Sequence, residues 1–122
     1  MDTISGFKGT HPLKFGTKVR HKVTGVEGIV IAKFYLLSGC VTVYYTSQTE
    51  TDRDKKPIKY YDTVDMVEVV AATSIFSKQP VEESVFCLGE KVKVPAYGFA
   101  EGVIHGIAFY PDQVSHVEIQ PP

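Results

Sequence analysis

This chain of 122 residues lacks most of what marks an enzyme, a metalloprotein or a secreted domain. Two cysteines, Cys40 and Cys87, are too few for a disulfide framework, and neither sits in a Cys-x-x-Cys pair. Each lies in an apolar, strand-like stretch, so both read as small buried hydrophobes. The four histidines (His11, His21, His105, His116) show no ligand spacing, which argues against a metal or other cofactor. No apolar run approaches the about 18 residues of a membrane span, and residues 1–16 lack a signal-peptide layout. The default compartment is therefore a cytoplasm, with no membrane partner. No Gly-x-Ser-x-Gly elbow and no glycine-rich loop before a helix is present, so the expectation is a non-enzyme. Charge of one sign is also missing. The net charge is −1, split as ten basic and eight acidic residues in 1–73 and three basic and six acidic in 74–122. Neither part has the dense positive field of a dedicated nucleic-acid binder.

What is present is a pattern written twice. Gly16-Thr17-Lys18-Val19, five residues, then Gly25-Val26-Glu27-Gly28-Ile29-Val30 returns as Gly89-Glu90-Lys91-Val92, five residues, then Gly98-Phe99-Ala100-Glu101-Gly102-Val103-Ile104. The offset is 73 positions up to Gly25/Gly98 and 74 beyond, with Ala100 as a one-residue insertion. So long a period suggests two copies of a small unit rather than a solenoid.

Within each copy the period is that of strands. In 17–23, Val19, His21 and Val23 alternate with Lys18, Arg20 and Lys22, a half-buried strand. Residues 29–35 and 40–46 are rich in β-branched and aromatic residues and bounded by glycine turns. Residues 47–57 carry six charges and read as a solvated, mobile loop. Ile58–Tyr61 and Val64–Val70 complete five strands. The second copy offers strands at 90–94, 101–109 and 114–120, with a turn at Pro111-Asp112 and with Val117 and Ile119 in the places of Val43 and Tyr45. Pro80–Ser84 reads as one helical turn capped by Ser77. The expected fold is all-β, with two SH3-like small barrel units in tandem: an arm over 1–15, a first unit over 16–72, a linker over 73–85 and a shorter second unit over 86–122. With three of five strands before Pro121-Pro122, the second unit needs completion by the arm, by the 73–87 segment or by another subunit. Residues 29–34 and 103–110 are apolar on both faces, so the second face should pack on the other copy or a neighbouring chain, unless a β-bulge buries it locally.

Candidate binding residues follow from two basic stripes, Lys18, Arg20 and Lys22 and then Lys91 and Lys93, with the aromatics Tyr44 and Tyr60 near the first. A basic strand beside stacking aromatics holds single-stranded nucleic acid in small barrels. Lysines also serve to keep an edge strand from pairing, and the near-neutral total favours that role. His105, Tyr110 and His116 could line a cleft between the units that takes a small molecule. The carboxylate pairs Asp52/Asp54 and Glu82/Glu83 lie in polar contexts and read as solvated.

Gly-x-Lys-Val, a glycine turn and then Glu-Gly-x-Val/Ile resemble the opening of SH3-like barrels of the KOW kind, with a shorter turn. Residues 16–30 with Tyr35-Leu36-Leu37-Ser38-Gly39-Cys40-Val41, Tyr60-Tyr61-Asp62 and Val67-Glu68-Val69-Val70 resemble small uncharacterised bacteriophage and prophage proteins. Residues 102–112 are similar to the SH3-like domain of nitrile hydratase β subunits. These resemblances imply a barrel fold and a phage accessory or particle protein, placed in a host bacterial cytoplasm or in a virion. The function they and the open edges point to is protein–protein binding, with self-association. KOW-like nucleic-acid binding and small-molecule sequestration stand as alternatives.

Overall fold

The computed structural model describes residues 6–71, 74–76, 78–93, 101–112 and 115–121. Ser77, Val94, Gly98, Ala100 and the first five residues of the arm, which carried parts of the expectations above, lie outside these. The described residues form ten strands: β1 (Phe7–Lys8), β2 (Lys18–His21), β3 (Glu27–Leu36), β4 (Val41–Thr51), β5 (Pro57–Thr63), β6 (Val67–Ala71), β7 (Glu83–Ser84), β8 (Lys91–Val92), β9 (Gly102–Phe109) and β10 (Ser115–Gln120). One 3-10 turn (Val64–Met66) joins β5 to β6. The protein is all-β, with two antiparallel sheets, neither of them closed: β1 with β7, and an eight-stranded sheet holding the rest.

The repeat is reproduced bond by bond. Gly16 N–H donates to the Val30 carbonyl at 2.8 Å and Val30 N–H to the Thr17 carbonyl at 3.0 Å. In the second copy Gly89 N–H donates to the Ile104 carbonyl at 2.7 Å and Ile104 N–H to the Glu90 carbonyl at 2.9 Å. Both leading glycines are left-handed, Gly16 at φ 82° and Gly89 at φ 86°, a backbone state that a Cβ disfavours. Lys18 opposes Ile29 as Lys91 opposes Val103, and Lys33 opposes Val43 as Ile107 opposes Val117. Even the irregularity repeats. A bulge leaves Ile31 between Val30 and Ala32, and its equivalent leaves His105 between Ile104 and Gly106.

The copies meet edge to edge. β3 pairs with β9 through Lys33–Phe109, Phe34–Ala108, Tyr35–Ile107 and Leu36–Gly106. Phe34 thus opposes Ala108, which lies 74 positions on and is its own equivalent, so a pseudo-twofold axis passes between them. The centre of the sheet reads β5-β4-β3-β9-β10, with β2 and β6 on one end of β3 and β8 on the opposite end of β9. Along β3, Val30, Ala32, Lys33 and Tyr35 are buried, whereas Ile31 and Phe34 are half-buried, so the second apolar face expected to pack on a neighbour is only partly covered.

On the core face lie Val19, Val30, Val43, Tyr45, Ile104, Ile107 and Phe109, with Phe15 from the arm. Each such side chain contributes roughly 1.5–3 kcal/mol by leaving water. Tyr35 and its equivalent Phe109 meet across the seam at 5.8 Å between ring centroids, and Phe7 of β1 lies over both at 5.2 and 6.3 Å.

Several expectations are corrected. The strand drawn over 17–23 ends at His21, whose Nδ1 accepts from the N–H groups of Val23 and Thr24 at 3.1 Å and turns the chain. Val23 is consequently 78% exposed. The charged 47–57 stretch is not an open loop: β4 runs on to Thr51, and Asp52 Oδ1 closes the hairpin by accepting from Asp54 and Lys56. Cys40 sits at the exposed end of the turn made by Gly39, not in the core, and Cys87 is half-buried. Pro80–Ser84 is no helical turn, because Glu83–Ser84 pairs with Phe7–Lys8 and Glu82 is held from below.

Candidate functional site

The outer face at the seam gathers residues from both copies. After the bulge, strand alternation places Phe34, Tyr44, Tyr61, Ala108, His116 and Glu118 on the side opposite the core. Tyr44 and Tyr61 face each other across β4 and β5 with ring centroids 4.8 Å apart, and Tyr110 and His116 meet at 5.0 Å. Glu118 contacts His105 Nε2. Between them is a depression of about 200 Å³ lined by Phe34, Tyr44, Ala108, Tyr110, His116, Val117 and Glu118. Burial raises the Tyr44 phenol above its usual range, and Tyr110, Tyr61 and Glu118 push it further the same way.

Of the ten residues singled out in the sequence, Tyr44, Tyr110 and His116 line this pocket, and His105 joins them through Glu118. Tyr60 does not. It alternates to the core side and stacks on Tyr45 at 5.5 Å, whose hydroxyl donates to Asp62 at 2.6 Å. Lys18 and Arg20 both reach Glu27 on the adjacent strand, at 3.3 and 3.0 Å. Lys18 and then Arg20 hold the Glu27 carboxyl below the ordinary range, and Glu27 offsets one of their two positive charges. Lys22 is exposed in the turn beyond β2. Lys91 and Lys93 stand at the opposite end of the β3–β9 seam from Lys18 and Arg20, so the two basic stripes do not merge.

Larger cavities lie elsewhere. One of about 500 Å³ lies beside β1 and β7, and one of about 420 Å³ is bounded by Phe7, His11, Tyr35, Cys40 and Leu88. The second adjoins a polar cluster that sequence reasoning missed. Lys33, 1% exposed, donates from Nζ to Glu82 Oε2 at 2.8 Å and to the His11 carbonyl at 2.9 Å, and lies 5.2 Å from the Phe15 ring centroid. The Tyr35 hydroxyl donates to Glu82 Oε1 at 2.6 Å and accepts the His11 N–H at 3.2 Å. Burial lowers the Lys33 ammonium against the opposing pull of Glu82, and burial with the bond to Glu82 raises Tyr35 well above the phenol range. His11 is lowered by burial first and then by Lys33. Glu82 is therefore an interior ion-pair partner, not the solvated carboxylate expected, whereas Glu83 stays exposed beside Lys8 at 3.5 Å. The available signal was Lys33 itself, one charge inside an otherwise apolar run.

With its donors and acceptors spent on one another, this cluster ties the arm and the 74–93 segment to β3. Among the described residues no group of three or more His, Cys, Asp or Glu side chains is placed to hold a metal. Compared with known protein families, with curated proteins and with solved structures, the chain finds no match.

Proposed function

We propose that this chain is a non-enzymatic binding module of the phage accessory or particle kind, built on two SH3-like units and acting through protein–protein contact, beginning with its own second copy. The carrying observation is the unequal treatment of equivalent strands. The outer edge of β4 is paired along its length by β5, whereas the same edge of β10 has no neighbour among the described residues. Unpaired N–H and C=O groups on an edge of this kind are a template for a further strand. A second β10 laid antiparallel about Val117 sets His116 of each copy opposite Glu118 of the other, a self-complementary register. The first copy's order β5-β4-β3-β2-β6 supports the SH3-like reading. Such a module would work in a host cytoplasm, as an inhibitor of a host system, or in a virion.

Sedimentation equilibrium tests this. A concentration-dependent dimer is expected, weakened by Ser115→Lys with Gln120→Lys, which charge the edge and leave the core untouched. A monomer at every concentration refutes self-association.

KOW-like nucleic-acid binding is less well supported, because Glu27 occupies Lys18 and Arg20. Small-molecule capture has one observation in its favour, the pocket that Tyr110 and His116 line.

A further inference from the structure

We infer that the pocket on the pseudo-twofold axis is a receptor for an organic ammonium group, a quaternary ammonium or a lysine-type side chain. The inference rests on the outer face of the sheet and not on edge pairing, although His116 and Glu118 of β10 belong both to the pocket and to the dimer register.

The floor of the pocket exists because equivalent positions differ. Phe34 opposes the small Ala108 on the axis, and its ring lies over Gly106, where an added Cβ would fall 2.4 Å from Phe34 Cε1. The Phe34 ring and Leu36 fill the space over Gly106, so the hollow opens on the other side of Phe34, over the small Ala108. Around that hollow stand the rings of Tyr44, Tyr110 and His116, with Tyr61 behind Tyr44. Tyrosine faces carry negative quadrupole charge, which attracts a cation held within about 6 Å of the centroid. Glu118 adds the only carboxylate of the lining, and neither Lys nor Arg is among the lining residues. Burial raises the Tyr44 phenol first, with Tyr110, Tyr61 and lastly Glu118 acting in the same direction.

Glu118 is fixed by His105, the bulge residue of the second copy, so the carboxylate is positioned before a ligand arrives. The side chain is still 53% exposed, which leaves it accessible from solvent. The volume of about 200 Å³ suits a small cationic head group. A quaternary ammonium, less strongly hydrated than a primary one, gives up less hydration on entering a site walled by rings, and either form gains Coulomb attraction on the side of Glu118.

The experiment is a titration of the full-length chain, followed by backbone amide NMR, with choline and in parallel with 3,3-dimethylbutan-1-ol, its neutral isostere. Choline is expected to give saturable shifts at Phe34, Tyr44, Ala108, Tyr110 and Val117, while the alcohol binds about tenfold more weakly. Glu118→Gln keeps the bond to His105 and is expected to weaken choline binding by about fivefold or more with the spectrum otherwise intact. Tyr44→Ala is expected to abolish saturation, and its remaining amide dispersion reports whether the fold is kept. Equal binding of choline and the alcohol overturns the inference, because the pocket is then merely apolar. The same shifts from sodium chloride at matched ionic strength, or no saturable shift at these positions, overturn it as well. The same titration of the edge variant Ser115→Lys with Gln120→Lys reads the pocket without edge pairing, so failure of the one and failure of the other stay distinguishable.

Discussion

Removing the Lys33 ammonium, by Lys33→Met, is expected to destabilise the protein more than any surface substitution could. In the native state the Lys33 side chain is 2% exposed, that of Glu82 15%, and the two are 2.8 Å apart. Methionine fills much the same space, so the loss is electrostatic and not one of volume. Glu82 then keeps only the Tyr35 hydroxyl as a side-chain partner, and the His11 carbonyl loses its donor. An ion left without its partner in such a place costs about 3–5 kcal/mol. Marginal stability for a domain of this size is about 5–15 kcal/mol, so the substitution removes a large part of it. A fall in melting temperature of about 10 °C or more is expected.

The companion variant separates pairing from burial. Lys33→Met with Glu82→Leu and Tyr35→Phe replaces the whole cluster by apolar groups, and such replacements are often neutral or stabilising. Urea unfolding of wild type, the single variants and the triple variant therefore has a distinctive expected pattern. Lys33→Met and Glu82→Leu each cost several kcal/mol, and the triple variant recovers most of that loss. Strictly additive losses would refute the reasoning, since they would mean the three side chains do not act as a unit. A single-variant cost below about 1 kcal/mol would refute it too, by placing the pair in effective contact with water.

Three further outcomes are expected. His11 folds with its imidazole pKa below 6.5, so as pH falls through 6.5 the unfolded chain takes up the proton first and stability is lost; His11→Asn should flatten the fall in urea midpoint between neutral and mildly acidic pH. Gly106→Ala drives a methyl into the Phe34 ring and should cost about 1–3 kcal/mol, whereas Gly25→Ala, at φ 76° with open space around it, should cost only about 1 kcal/mol by backbone strain; equal thermal shifts would contradict the packing at the seam. Glu27→Gln frees Lys18 and Arg20, so retention on a single-stranded DNA column at low salt should rise; no retention of either protein would remove the nucleic-acid reading.

The strands and their register were legible because they rest on local rules. Alternation located β2, glycines located the turns, and the 74-residue offset equated Val43 and Tyr45 with Val117 and Ile119, as the pairing shows. What escaped is non-local or made by side chains acting on the backbone. Nothing in the period of residues 17–23 reveals that the His21 imidazole ends the strand. Glu82 lies 49 residues from Lys33, in a segment whose composition reads as linker, and burial of the pair leaves no periodic trace. The pocket was half legible: Tyr44, Tyr110 and His116 were singled out for stacking or for a cleft, but Phe34 and Glu118 entered only once the seam was known. Edge pairing of β3 with β9 uses backbone groups that every residue possesses, so no residue type announces it.

The pseudo-twofold axis also explains why the polar cluster and the pocket belong to one design. Two identical copies paired through Phe34 and its equivalent would present the same residues on both sides of the axis. Here Lys33 and Tyr35 of the first copy stand where the second has Ile107 and Phe109. On the core face this difference gives Glu82 one place to bind, so the connecting segment can dock on β3 but not in the same way on β9. A buried ion pair adds little net stability but imposes a severe penalty on the wrong arrangement. On the outer face the same inequality, Phe34 against Ala108, opens the hollow around which Tyr44, Tyr110 and His116 gather. Symmetry sets the frame of this protein, and its departures from symmetry at three consecutive residues, Lys33 and Tyr35 on the core face and Phe34 on the outer, set where the chain is fastened and where the inferred ligand would enter.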